Sequence, residues 1–298
     1  MPELPEVETI KRELQKVLHG KTITGVDILW PKVISPTFVN TFRKIVIGQK
    51  IKKLERRAKM LLVYLTEQND KATLCLVIHL KMTGQLIFVP LQKGGQAKNR
   101  KIITGGHPTP DIQIPGKHTR LFFTFTDGSK LYFNDLRKFG WVKILDDKLK
   151  NHLLTKIGLE PLSKTFTMVN LKKILERYPN RTVKQVLLDQ QLIAGLGNIY
   201  ADESAFLSSL LPMRKTKTLK EKEIVNLHKN IIAILKFAIS KKGTSSRNYL
   251  RSNGQKGGFV PYLKVYGRTG EPCKKCKAPI KKTRHAGRGT HFCPTCQK

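Results

Sequence analysis

Two sets of residues in this chain have the types and the spacing to do chemistry, and they lie at its two ends. The N-terminus reads Met1-Pro2-Glu3-Leu4-Pro5-Glu6-Val7-Glu8. A small second residue permits removal of Met1, which would leave Pro2 with a free secondary amine. An α-amino group titrates near ~7.7–8.0, so a useful fraction is unprotonated at neutral pH. Such an amine attacks an aldehyde-like carbon, and a secondary amine gives an iminium ion with no N–H proton to lose, which persists as an electron sink. Glu3 stands next to it, able to give or take a proton. The same residues also suit a plainer role, since an early proline and first-turn acids open a helix. At the other end, Cys273-x2-Cys276 and Cys293-x2-Cys296 are separated by 16 residues. That is the spacing of a tetrahedral four-cysteine zinc site, and one structural Zn2+ is expected. In so small a segment the metal contributes on the order of 10 kcal/mol to folding. With no secretion signal legible, disulfides are the weaker explanation. His285 and His291 fall between the pairs, but four thiolates complete the shell, so both read as surface or packing residues. The fifth cysteine, Cys75, lies in an apolar run and reads as a buried strand residue without chemistry.

The 298 residues include 56 Lys or Arg against 21 Asp or Glu, a formal net charge of +35. A surplus of that size implies a polyanionic partner. It is spread along the chain, and no stretch is apolar over the ~20 residues that a bilayer span needs. Nucleic acid is therefore expected as the partner, no membrane partner is expected, and the location is expected to be cytoplasmic. The hydrophobic share of 40% is enough for real cores, and the length has room for two domains or two and a small appendage.

The elements that would position the reactive groups are legible in outline. Glu6 to Leu18 carries Val7, Ile10, Leu14, Val17 and Leu18 at helical spacing, with Gly20 as a stop. Short β-like runs follow at Ile23–Leu29, Val46–Leu54, Met60–Leu65, Leu74–Leu80, Leu86–Val89, Leu121–Phe125, Lys130–Phe133 and Trp141–Leu145, with Asp127-Gly128 as a hairpin turn signal. They imply a β-sandwich or barrel with the helix against it. Leu91 to Lys117, 27 residues rich in Gly, Lys, Pro and Thr, is expected as a mobile basic insertion. From about Asp146 the pattern turns helical, at Lys148–Lys156, Thr167–Glu176, Thr182–Leu188, Asn198–Leu207 and Lys220–Lys241. A Ser/Gly/Asn stretch from Gly243 to Gly258 is expected to be flexible. Gly195-Leu196-Gly197-Asn198 opens a helix whose unpaired N–H groups suit a phosphate, although such turns also serve tight helix packing. Arg181 and Lys184 just before it favour phosphate.

Seven motifs now stand in order: Met1 to Glu8, Arg57-Ala58-Lys59, His79-Leu80-Lys81-Met82-Thr83-Gly84, Asp135-Leu136-Arg137-Lys138-Phe139-Gly140, Gly195 to Ala201, Val265-Tyr266-Gly267-Arg268 and the four cysteines. Nearly end to end, the chain resembles the bacterial formamidopyrimidine-DNA glycosylases, the family of 8-oxoguanine DNA glycosylase/AP lyases. The resemblance implies an α+β multidomain fold. An N-terminal helix and β-sandwich form a catalytic domain at 1–145, and a linker runs over 146–163. A helix-two-turn-helix DNA-binding domain with a lesion-capping loop covers 164–263, and a zinc finger closes the chain at 264–298. It implies a monomeric, nucleoid-associated enzyme of base-excision repair that removes oxidised purines from damaged double-stranded DNA and cuts the strand by β,δ-elimination.

The resemblance also implies roles. Pro2 is the nucleophile and Glu3 the acid. Lys59 is a proton donor and phosphate contact, and Arg288 holds phosphate and assists δ-elimination. His118, Arg137, Arg181, Lys184 and Asn198 contact DNA. Met82, Arg137 and Phe139 fill the gap left by the extruded nucleotide, a task that suits an apolar wedge, a guanidinium and an aromatic ring. Ser245 to Gly258 corresponds to the loop that closes over the flipped base. The sequence departs from the family pattern at the long segment after Val89, at Arg120 (often histidine), at Asn180 (often lysine) and at Met60 (often tyrosine). Two other readings are the endonuclease VIII branch, which prefers oxidised pyrimidines, and a non-enzymatic zinc-ribbon protein that binds nucleic acid. The opening Leu4-Pro5-Glu6-Val7-Glu8 favours the purine branch.

Overall fold

The computed structural model describes residues 1–66, 73–91, 102–111, 113–244 and 258–298. The chain divides into two compact units. One is Met1–Leu154 with the described residues of Lys242–Gly258, and the other is Thr155–Lys241 with Phe259–Lys298. The cysteine-rich end thus shares a unit with the helices, and Lys242–Thr244 belongs with the N-terminal unit.

The first unit opens with α1 (Leu4–Leu18), which begins with Pro5 in its first turn and buries Ile10, Leu14 and Leu18. Burial of each such side chain contributes roughly 1.5–3 kcal/mol. Two antiparallel sheets follow. One runs β1 (Ile23–Ile28), β7 (Thr119–Phe125), β8 (Lys130–Asp135), β5 (Gly84–Val89) and β6 (Ile103–Gly106). The other runs β2 (Lys50–Arg57), β3 (Met60–Thr66), β4 (Thr73–His79) and β9 (Trp141–Leu145). Alternate residues of both sheets meet in one core with α1, through Leu61, Val63, Ile78, Leu121, Phe125, Phe133 and Val142 among others. The architecture is a β-sandwich, which decides between the sandwich and barrel readings. Cys75 is fully buried in β4, as its apolar run implies.

Two stretches differ from the expectation. The run Val46–Leu54 is not one strand. Val46 ends a two-turn helix, α2 (Val39–Val46), the chain turns at Gly48, and β2 begins at Lys50. Phe42 and Val46, four residues apart, are both fully buried, so the core pulls one helical face inward where no cap announces a helix. The second is the insertion. Residues 92–101 and 112 lie outside the described residues, but Ile103–Gly106 is a strand that pairs with β5, Gln85 opposite Gly106 and Phe88 opposite Ile103. A Cβ on Gly105 would stand 2.5 Å from Ile10 Cγ1 on α1, so glycine is what lets β6 slide under the helix. Ile102 and Ile114 pack on Ile87, Phe122 and Tyr132 on the outer sheet face. This part of the insertion is built into the sandwich.

After α3 (Asp147–Thr155), the second unit contains α4 (Met168–Arg177), α5 (Val183–Leu188), α6 (Asn198–Leu207) and α7 (Glu221–Ser240), then a hairpin of β10 (Lys281–His285) and β11 (Arg288–Phe292). Thr167 and Thr182 cap α4 and α5 with their hydroxyls. The turns between α5 and α6 are knitted by Gln190, whose amide donates to the carbonyls of Leu188 and Leu196 and accepts from Gly195 N–H.

Candidate active site

In the first unit the N-terminal residues are held from below. Pro2 and Glu3 are buried and Met1 is half exposed. Glu6, on the first turn of α1, accepts the backbone N–H of Glu3 at 3.0 Å. Its other carboxylate oxygen accepts from Thr244 N–H at 2.7 Å and Thr244 Oγ1 at 2.9 Å. A Cβ on Gly243 would lie 2.8 Å from that same oxygen, and Gly243 has a φ of +79°, so two requirements select glycine there. One acidic side chain thus fixes the start of α1 and the chain at 243–244.

Lys59 sits at the tip of the β2–β3 hairpin, 4% exposed, after Ala58 at a φ of +53°. Arg56 braces this tip against α1. Its Nη1 donates to the Ala58 carbonyl at 3.0 Å and its Nε to Glu8 at 3.1 Å. Glu8 also takes Arg12 at 2.7 Å and Lys11 at 3.0 Å. Burial works to raise the Glu8 carboxyl, but the Arg12 and Lys11 hydrogen bonds and the charges of Lys11 and Arg56 outweigh it and hold the group below the usual carboxylate range. Next door, burial pushes the His79 imidazole down to about 3, with the Lys81 and Lys59 charges adding to it. Its Nδ1 accepts the Lys81 N–H at 2.9 Å, as a neutral ring can.

Met82, Arg137 and Phe139 come from two separate loops and meet at the surface. Arg137 Nη1 donates to Met82 Sδ at 3.2 Å, and its guanidinium carbon stands 4.6 Å from the Phe139 ring centre. Met82 and Phe139 are 39% and 50% exposed, which a core role would forbid. The fully buried Asp135 carboxylate organises them. It accepts from Thr83 Oγ1, from Arg137 N–H at 3.2 Å and from Gly140 N–H at 2.7 Å. Arg120, at the departure noted above, is buried, and its Nε donates to the Asp135 carbonyl at 2.8 Å. It serves the loop from inside. His118 is held by Asp111, whose carboxylate takes its ring Nδ1 at 2.7 Å.

In the second unit, Arg288 opens β11 after a turn through Ala286 and Gly287, both in the left-handed region. Its guanidinium is exposed and has no hydrogen-bond partner among the described residues. The backbone around it is anchored at several points. Lys184 Nζ and Asn198 Nδ2 both donate to the Gly289 carbonyl, at 3.1 and 2.8 Å. Asp202 accepts His291 N–H at 2.9 Å, and Thr182 Oγ1 lies 2.8 Å from His285 Nε2. His285 and His291 are therefore packing residues of the hairpin. Lys184 itself is fully buried in an ion pair with Asp202 at 2.6 Å. This corrects the expectation that its side chain reaches phosphate, because no face of it meets solvent. Arg181 lies half buried, bonded to Asp189 at 3.0 Å. Asn198 Oδ1 is buried without a partner among the described residues. The adjacent Glu203 accepts the N–H groups of Lys264, Val265 and Tyr266, and burial nonetheless raises its carboxyl. Sequence reading missed Asp111, Asp202, Glu203 and Arg56. Acids in a basic chain are a usable signal, but their partners lie 7 to 89 positions away.

Four sulfurs, of Cys273, Cys276, Cys293 and Cys296, lie within 4.8 Å of one another. Zinc–sulfur bonds of about 2.3 Å at tetrahedral angles set sulfurs about 3.8 Å apart. The cluster fits one structural zinc. Lys275 N–H and Cys296 N–H point at Cys273 and Cys293 sulfurs, both at 3.4 Å, as thiolates in such a site require.

A helix-capped β-sandwich with a buried N-terminal Pro-Glu, and a helical unit closed by a four-cysteine zinc hairpin, define a class of zinc-bearing DNA glycosylases. The chain belongs to the formamidopyrimidine-DNA glycosylase family. Residues 1–142 match the formamidopyrimidine-DNA glycosylase N-terminal domain, 157–249 the H2TH domain of the same enzymes, and 270–298 a zinc finger found in FPG and IleRS. A formamidopyrimidine-DNA glycosylase of Bacillus licheniformis is 41% identical over the full length of both chains. A Lactococcus lactis Fpg variant in complex with Fapy-dG-containing DNA superposes with a TM-score of 0.84 at 35% identity, covering 100% of each chain. The Lactococcus lactis Fpg bound to abasic-site DNA gives 0.83 at 35% identity, covering 99% of each.

Proposed function

We propose that this protein is a DNA glycosylase that removes oxidised purines, 8-oxoguanine and formamidopyrimidines, from duplex DNA and then cuts the strand as an AP lyase. The observation that carries the reading is the buried Pro2-Glu3 start, held by Glu6, in a chain that matches the family along its whole length. Once Met1 is removed, the Pro2 nitrogen attacks C1′ of the damaged nucleotide. The C–N bond to the base breaks and the electron pair leaves with the base, which a proton completes. Ring opening gives an iminium at C1′, with Glu3 as the acid that supplies the proton. The iminium acidifies the 2′ position. Loss of a 2′ proton expels the 3′ phosphate, and a second elimination expels the 5′ phosphate. Water then releases Pro2.

Lys59 is the proton donor and phosphate contact, and Arg288 neutralises a phosphate and assists the second elimination. Asn198 and Arg181 add DNA contacts, and Lys184 acts by holding the zinc hairpin. His118 contacts the backbone. The target nucleotide must leave the stack, at a cost of a few kcal/mol, and Met82, Arg137 and Phe139 fill its place. The surface cluster of these three supports that role. We assign 1–145, 164–263 and 264–298 to catalysis, DNA binding and the zinc finger, and expect the enzyme to act as a monomer. The test is excision from duplexes that carry 8-oxoguanine, a formamidopyrimidine or an oxidised pyrimidine. Release of the two purine lesions is expected. Release of pyrimidine lesions alone would assign the chain to the other branch.

A further inference from the structure

The described part of the insertion carries an acid whose two carboxylate oxygens both accept from one histidine. Asp111 Oδ1 takes the His118 ring Nδ1 at 2.7 Å, and its Oδ2 takes the His118 backbone N–H at 3.1 Å. Asn134, fully buried, reaches the same Oδ2 at 3.5 Å and the Thr109 hydroxyl at 3.1 Å. The Asp111 and His118 side chains are only 7% and 13% exposed. A carboxylate has no proton to give, so Nδ1 is the donor. The other ring nitrogen, Nε2, has no partner among the described residues.

We propose that Asp111 is a positioning residue for DNA binding. It locks the His118 ring with Nδ1 inward and turns Nε2 to a backbone phosphate. A phosphate oxygen only accepts, so this contact needs a proton on Nε2 as well. A ring that donates from both nitrogens is an imidazolium, and Asp111 supplies its counter-charge, as carboxylates do behind functional histidines. The insertion thus contributes a fixed acid to a DNA contact. The inference rests on the reading that His118 meets DNA.

The test is binding to a duplex with a tetrahydrofuran abasic analogue, which resists cleavage, for the wild type, Asp111→Ala, His118→Ala and the double variant. Each single change should weaken binding about fivefold to tenfold, and the double should bind no more weakly than His118→Ala, because the two act as one unit. In nitrogen-15 spectra of the complex, His118 should carry protons on both ring nitrogens in the wild type and lose the Nδ1 proton signal in Asp111→Ala. If Asp111→Ala does not fold, Asp111→Asn, which keeps one acceptor, should show an intermediate loss. Wild-type affinity in Asp111→Ala, or a double loss equal to the product of the singles, would overturn the tie while leaving the glycosylase reading intact. A wild type that fails to bind this duplex would sink both.

Discussion

At the scale of single residues, the buried ionisable groups set what the loss of a partner costs and how stability responds to pH. Lys184 and Asp202 are both fully buried and bonded at 2.6 Å. Removing one partner of such a pair strands the other, at a cost of about 3–5 kcal/mol, whereas replacing both with apolar residues of similar size is often near neutral. Denaturant unfolding of Asp202→Ala should show that loss, and Lys184→Met/Asp202→Leu should recover part of it, because it removes the stranded charge but leaves the His291 N–H without its acceptor. Equal losses would mean that the pair is not the anchor. His79 gives a pH dependence. An unfolded histidine gains its proton near ~6.5, while burial, aided by the Lys81 and Lys59 charges, keeps the folded ring neutral down to about 3. The unfolded state binds more protons in that window, so this group lowers stability as pH falls from 6.5 towards 3 and leaves it unchanged above. His79→Asn, which keeps an acceptor near Nδ1, should flatten the acid side of a plot of Tm against pH. A variant with the wild-type slope would contradict this. Lys184 is also where residue type misled. A lysine before a glycine-rich turn reads as a phosphate contact, and only the placement of Asp202, 18 positions on, shows that it is buried.

At the scale of elements, what could be read ahead was what a strong local period announces. α1, the four cysteines and most strands were legible because apolar spacing and Cys-x2-Cys depend on neighbours in the sequence. α2 was not, because eight residues without a cap fold as a helix only when the core buries Phe42 and Val46. β6 was not, because Ile-Thr-Gly-Gly has little strand character of its own and depends on pairing with β5 and on the gap under α1. That gap can be tested. Gly105→Ala places a carbon 2.5 Å from Ile10 Cγ1, and overpacking of this kind costs about 1–3 kcal/mol. Thermal unfolding should show the loss, and the loss caused by Gly105→Ala should shrink when it is measured in an Ile10→Ala background, which has room for the added carbon. A neutral Gly105→Ala would mean that β6 does not press on the helix. Met82, Arg137 and Phe139 were legible as motif residues, but their meeting was not. It depends on Asp135 binding Thr83 of one loop and Gly140 of the other.

At the scale of the whole molecule, the charge of +35 and the zinc cluster set the response to conditions. A protein that neutralises six to ten phosphates loses about 10³–10⁵ in affinity between 50 and 200 mM salt. A titration of undamaged duplex at several salt concentrations should show a slope in this range, and a flat response would contradict a binding mode led by the backbone. Pro2 is the proposed nucleophile. Its most direct test is borohydride trapping on a duplex with one 8-oxoguanine opposite cytosine, with wild type and Pro2→Gly, together with N-terminal sequencing. A covalent adduct formed only by a wild type that begins at Pro2 is the expected result. An equal adduct from Pro2→Gly, or none from a wild type that begins at Pro2 and binds the duplex, would contradict it.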